Sequence, residues 1–119
     1  MTEYEHFRGK RYVAQGEGIF RPVNGDPIID IAFDADDVSR RVYVYLGKEG
    51  YVLEDASEKM HPQGLVCVVY RAQYNDAALG ERPLFVRSKK EFFAQVNQEG
   101  YCGPRFILQQ KVPNLIARF

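Results

Sequence analysis

The chain has 119 residues, 45% of them hydrophobic and 27% charged, which is enough to bury one core and too few for two domains. Its 16 basic and 16 acidic residues cancel, so no whole-molecule field draws in polyanions or acidic membranes. The opening MTEYEHFRGKRY lacks an apolar stretch and no run of about 18 apolar residues occurs, which predicts a cytoplasmic protein with no membrane span.

Short β-branched and aromatic segments alternate with turn signals along the chain. The first predicted strand, Arg11 to Phe20, contains Gly16-Glu17-Gly18. A strand rather than a helix continues from this GxG, so it reads as a β-bulge and not as a phosphate-binding loop. After the turn Asn24-Gly25-Asp26-Pro27, Ile29, Ile31 and Phe33 alternate with Asp30 and Ala32, the pattern of a half-solvated strand. Asp34-Ala35-Asp36-Asp37 offers carboxylates to a hard cation but lacks the glycine and closing glutamate of a calcium loop, so a solvated turn is expected. Neither C-x-x-C nor H-E-x-x-H occurs, and no metal or cofactor is expected.

Arg41 to Leu53 reads as a hairpin around Gly47 to Gly50, with Val42, Val44 and Leu46 on one face and Tyr43 and Tyr45 on the other, where Tyr51 joins them. Beyond the turn His61-Pro62-Gln63-Gly64, Leu65 to Tyr74 opens as a strand buried on both faces and then presents Tyr70-Arg71. Cys67 and Cys102 are expected as free thiols, with a bridge open if their strands pair. A strand at Leu84 to Arg87 leads into Ser88-Lys89-Lys90-Glu91, a capping-box sequence; Phe92, Phe93 and Val96 then predict a helix of two to three turns ending near Gly100. Arg105 to Gln109 forms a last strand, and the tail KVPNLIARF suits either a short turn or an extended arm. The sum is a mainly β fold: a small antiparallel, SH3-like barrel or curled sheet with one short C-terminal helix across one end.

Candidate sites follow from residues that local structure does not require. No Ser-His-acid arrangement is legible, and His6 and His61 stand alone in turns. Lys89 and Lys90 in a first helical turn oppose the macrodipole by a few tenths of a kcal/mol, a sign that an anion would reverse. Arg87 adds a fork suited to carboxylate or phosphate. If the strands ending in Arg71 and Arg87 are neighbours, two guanidiniums converge at one rim; otherwise Arg71 bridges to an acid such as Glu91 or Asp76. The tyrosines could stack bases or hold a peptide, or form a second small core.

Several blocks together resemble a bacterial family of small domains, the domain-of-unknown-function family number 1653. They are Tyr4-Glu5-His6-Phe7-Arg8-Gly9-Lys10-Arg11-Tyr12, then His61 followed by Val68-Val69-Tyr70-Arg71-Ala72-Gln73-Tyr74, then Leu84-Phe85-Val86-Arg87, Phe92 and Pro104-Arg105-Phe106. Two departures stand out: Phe85 replaces the family's usual Trp, and Ser88-Lys89 its Pro-Leu. The family-like core is about residues 4–18 and 61–109, and about 19–60 reads as an insertion within the single domain. The resemblance implies a compact β-rich domain and a pocket built from Tyr70, Arg71 and Arg87 with the turns of His6 and His61.

The resulting expectation is a non-enzymatic binding module whose rim holds an anionic small molecule or an acidic peptide end. Arg71, Arg87, Lys89 and Lys90 would supply anion contacts, with Tyr70 and Phe85 as an apolar wall. The alternatives are single-stranded nucleic-acid binding through the tyrosines, against which the zero net charge weighs; a small enzyme with a His general base; and a protein partner or homodimer formed through a strand edge.

Overall fold

The computed structural model describes residues 1–109; the tail of the sequence reading lies outside the described residues. Among the described residues, ten strands and one helical turn form in the order β1 (Thr2–His6), β2 (Arg11–Phe20), β3 (Ile28–Asp34), β4 (Arg41–Leu46), β5 (Tyr51–Asp55), β6 (Val66–Ala72), β7 (Leu84–Ser88), α1 (Lys89–Phe92), β8 (Gln95–Gln98), β9 (Tyr101–Pro104) and β10 (Phe106–Leu108). Six of them, in the order β2-β5-β4-β3-β7-β6, close into a barrel because β6 also pairs with β2. The expected small β-barrel with one short helix is therefore what forms, closed rather than curled. It is not antiparallel throughout, since β2–β5 and β3–β7 pair in parallel. No described helix is long and apolar enough to cross a membrane.

Strand β2 organises the wall. Its first half pairs with β1 and its last three residues with β5, while β6 runs along its other edge. The register against β6 shifts between Ala14 and Gly16, the bulge anticipated from the GxG. Such a bulge bends the strand, which lets β2 leave one neighbour for another. Gly18 is required by close approach: a Cβ there would lie 2.9 Å from the Cγ and Cδ1 of Leu53. Residues 19–60, read as an insertion, supply β3, β4 and β5, half of the barrel wall.

Two apolar clusters share β6. Phe20, Ala32, Val42, Val44, Leu53, Cys67, Val69, Leu84 and Val86 fill the barrel. Outside it, Val68, Tyr70, Ala72, Phe85, Phe92 and Phe106 pack with Tyr4 and Tyr12 from β1 and β2. The run LVCVVY thus faces two cores, as its unbroken hydrophobicity indicated, and burying each large side chain contributes about 1.5 to 3 kcal/mol. Cys67 is buried and Cys102 exposed, both as free thiols.

The structure departs from the sequence reading in three places. In β3 the alternation holds, but Ala32 and Asp34 face inward while Ile29 and Ile31 stay about half exposed. The interior opposite β3 already holds Phe20, Val42, Val44 and Leu53, so a small residue fits at Ala32 and the acidic neighbours take places at the barrel mouths. Tyr51 packs against the barrel core instead of joining Tyr43 and Tyr45 outside. The helix is one turn long. Ser88 caps it as expected, accepting from the Glu91 N–H at 3.2 Å, but Glu99 and Gly100 both adopt positive φ and close a two-residue hairpin between Gln98 and Tyr101. That turn chemistry draws Gln95 to Gln98 into β8, overriding the helical spacing of Phe92, Phe93 and Val96.

Candidate functional site

Each barrel mouth carries a charged constellation. At one, Arg71 Nη2 meets Asp30 Oδ2 at 2.5 Å and Nη1 donates to the Arg82 carbonyl at 2.9 Å. The Asp30 carboxylate also accepts from the Ile31 N–H, at 2.8 Å. At the other mouth, His61 stacks on Phe20 with ring centroids 4.4 Å apart and lies between two carboxylates. Its Nε2 is 3.1 Å from Asp34 Oδ2 and its Nδ1 2.5 Å from Asp55 Oδ1. Asp55 also accepts from the N–H groups of Met60 and His61, at 2.9 Å each. Burial pushes the Asp55 carboxyl up, but these donors outweigh it and hold it below its ordinary value. The acidic cluster is therefore divided among separate partners, with Asp30 on Arg71, Asp34 on His61, Asp36 on Arg87 and Asp37 on Arg40.

The single rim expected of Arg71 and Arg87 is not formed, because adjacent residues of a strand point to opposite faces. Arg71 has the parity of Cys67 and Val69 and closes the barrel from inside, whereas Tyr70 stands outside. Lys89 pairs with Glu17 at 2.8 Å, Lys90 is exposed, and neither lines the outer cleft. With one turn of helix, the macrodipole argument for an anion at Lys89 and Lys90 also falls away. His61 belongs to the barrel mouth.

Outside the barrel the remaining expected residues do meet. His6, Tyr70, Phe85 and Arg87 line one cleft of about 480 Å³, together with Tyr12, Tyr74, Arg8, Lys10 and Asp76. Tyr70 anchors the floor: it is buried and contacts Phe85, Tyr12, Phe92 and Phe106. Arg87 donates through Nε to the Tyr70 hydroxyl and through Nη1 to Asp36, both at 3.3 Å, leaving Nη2 without a described partner. The Tyr12 and Tyr74 hydroxyls are 2.8 Å apart, and Lys10 Nζ sits 4.2 Å from the centroid of the Tyr74 ring. His6 Nδ1 accepts from the Arg8 N–H at 3.2 Å, which places the proton of a neutral ring on Nε2 as a donor.

The electrostatics favour negative charge in this cleft. Burial, then the charges of Arg87, Arg105 and Arg8, lower His6 to about 4, so its ring is neutral at pH 7. Burial pushes the Tyr70 phenol up to about 12 although Arg87 pulls it down, and burial and the Tyr74 contact raise Tyr12 further. Both phenols therefore stay protonated. Burial opposes the charge on Arg87, but Tyr70 and Asp36 outweigh it and raise its affinity for the proton. The one lining acid, Asp76, has its Oδ1 committed to the N–H groups of Ala78 and Leu79 in its own turn. A larger groove of about 620 Å³ lies beside the β4–β5 turn, but it interleaves Glu17, Asp26 and Glu49 with Arg21 and Lys48 and presents no single sign.

Sequence reasoning missed Arg8, Lys10 and Tyr12 as site residues and weighed Tyr74 only among the tyrosines that could stack bases or hold a peptide. A signal was available in the opening block, where His6, Arg8, Lys10 and Tyr12 recur at every second position. What was not legible is the tight turn at Gly9, with φ of +103°, that returns the chain so that β2 lies beside β1.

Fold and site together define a small mixed β-barrel with a cationic, tyrosine-walled cleft on its outer surface. Comparison of the chain with family models, with curated proteins and with solved structures finds no match.

Proposed function

We propose that the protein is a binding module that captures an anionic small molecule in the cleft between β1, β2, β6 and β7. The observation that carries this reading is the composition of the lining: Lys10 and Arg87 stand there with Arg8, which also pairs with Glu99 at 3.3 Å, against Asp76 as the one acid among the described lining residues, its Oδ1 turned to the N–H groups of Ala78 and Leu79. The cleft volume, about 480 Å³, falls within the roughly 300 to 1,000 Å³ range of ligand pockets and exceeds what a bare inorganic ion needs. Arg87 has unused N–H groups with which to bond a carboxylate or phosphate, and Phe85 and the tyrosines supply apolar contact. The residues that carry the resemblance to family 1653 include His6, Tyr70 and Arg87, which supports the same location.

The test is thermal unfolding of the wild-type protein against carboxylates and phosphorylated compounds, repeated with Arg87→Gln and Arg71→Ala. A ligand at a hundred times its Kd stabilises by about 2.7 kcal/mol, a rise of several degrees for a domain of this size. Arg87→Gln should lose the shift and Arg71→Ala should keep it. Absence of a shift with every anion, or equal loss in Arg71→Ala, overturns the assignment.

A further inference from the structure

The cations of the cleft occupy different ends of a row of tyrosines. Arg87 contacts the Tyr70 hydroxyl at 3.3 Å; the Tyr70 ring meets Tyr12 at 5.3 Å; the Tyr12 ring meets Tyr74 at 5.6 Å; and Lys10 Nζ lies over the far ring of Tyr74 at 4.2 Å. Tyr12, from β2, thus stands between two tyrosines from β6 and the bend after it, each carrying a cation on its outer side.

Each end has chemistry left for a ligand. Arg87 is fixed by Tyr70 and Asp36 with its side chain 13% exposed, so its orientation is set before anything binds. At the other end, Lys10 is in no ion pair with a described residue and rests on a ring face, from which an ammonium can turn toward an anion at little cost. The nearest acid there, Asp76, is turned into its own backbone loop. Between the ends, the rings offer faces, the Tyr12–Tyr74 hydroxyl pair keeps one O–H to donate, and His6 presents Nε2–H. A ligand whose single negative group takes the free N–H groups of Arg87, which Asp36 already faces, would leave Lys10 without an anionic partner among the described residues.

We infer that the natural ligand is an elongated dianion, with two negatively charged groups separated by a planar or apolar body, one group held by Arg87 and the other by Lys10. The inference rests on the anion-binding reading above and adds the number and spacing of charges. A planar body suits the tyrosine row because ring faces and edges accept flat apolar surface with little side-chain ordering.

The experiment compares matched pairs by titration calorimetry on the wild-type protein: benzoate with terephthalate, and biphenyl carboxylate with biphenyl dicarboxylate. At one of the two lengths the dianion should bind at least about tenfold tighter, the factor that about 1.4 kcal/mol produces. Lys10→Gln, a change at the protein surface, should remove that advantage while altering binding of the monoanion by less than about twofold. Dianions binding no tighter than their monoanions at both lengths would overturn the two-ended ligand and leave the anion cleft standing, as would Lys10→Gln weakening both members of a pair equally. No binding by any of the four compounds overturns the two-ended ligand, and if the broader anion screen is also blank, the cleft assignment with it.

Discussion

Replacing His61 with alanine tests how the barrel mouth is held. The substitution removes the stack on Phe20 and both ring contacts, leaving Asp34 only the N–H of Asp36, at 2.9 Å, to offset a charge that is 7% exposed. Asp55 fares better, since the N–H groups of residues 60 and 61 remain. Leaving a buried carboxylate without its hydrogen-bond partner costs about 1 to 3 kcal/mol, more for a charged group, and most of that penalty falls on Asp34. Against the total of about 5 to 15 kcal/mol typical of a domain, His61→Ala should move the urea midpoint sharply at constant m-value. Adding Asp34→Asn neutralises the stranded charge, so the double variant should recover about half of the loss. A cost below about 1 kcal/mol for His61→Ala, or no recovery in the double variant, would refute the account of His61 as the partner that holds Asp34.

Other consequences can be checked independently. Arg71→Ala breaks a pair that is 27% and 39% exposed, so solvent screening limits its cost to about 1 kcal/mol by denaturant unfolding. Gly18→Ala drives a methyl into Leu53 and should destabilise by about 1 to 3 kcal/mol; a neutral result would show that Leu53 can move aside. Burial, with Asp34 and Asp55 nearby, pushes the Cys67 thiol up to about 12, so a thiol reagent should titrate Cys102 alone in the native protein and both cysteines in denaturant. His6 is lowered to about 4 from 6.5, so the unfolded chain binds more protons between those values. Stability should therefore fall as pH drops from 6.5 toward 4, and His6→Gln should flatten that part of the profile. Asp55, held low, contributes stability that is present above its unfolded value of 3.8 and lost as pH falls below it.

Much of the barrel was legible because its strands obey local rules. Val42 and Val44 point inward and Tyr43 and Tyr45 outward, LVCVVY is buried on both faces, and Gly16 marks a bulge. The failures were non-local. Nothing within β3 reveals that the barrel interior has room for Ala32 rather than Ile31, because that space is set by residues on five other strands. The apolar spacing after Ser88 suited a helix until Glu99-Gly100 closed a hairpin. For the site, Tyr70 and Arg87 were found as residues that a core strand does not need. Arg71 was grouped with them although its parity places it on the other face. Lys10 and Tyr12 were passed over because their role depends on which strand lies beside β2.

The parallel pairings that close the barrel also order its assembly. Strands β3, β4 and β5 can form a meander from neighbouring segments, but β2 meets β5 only across the intervening thirty or so residues, and β3 meets β7 across a longer loop still. As the chain emerges from a ribosome, the wall stays open until Ser88 is available, exposing the inner faces of Val42, Val44 and Leu53. Both closing contacts carry a loop-entropy cost before any core is sealed, which makes this a slow folder for its size and leaves the half-built sheet prone to self-association. Arg71, on β6, reaches Asp30 on β3 only after β7 has closed the wall between them, so it stabilises the finished barrel without hastening its formation, whereas His61 can meet Asp34 and Asp55 within the meander itself.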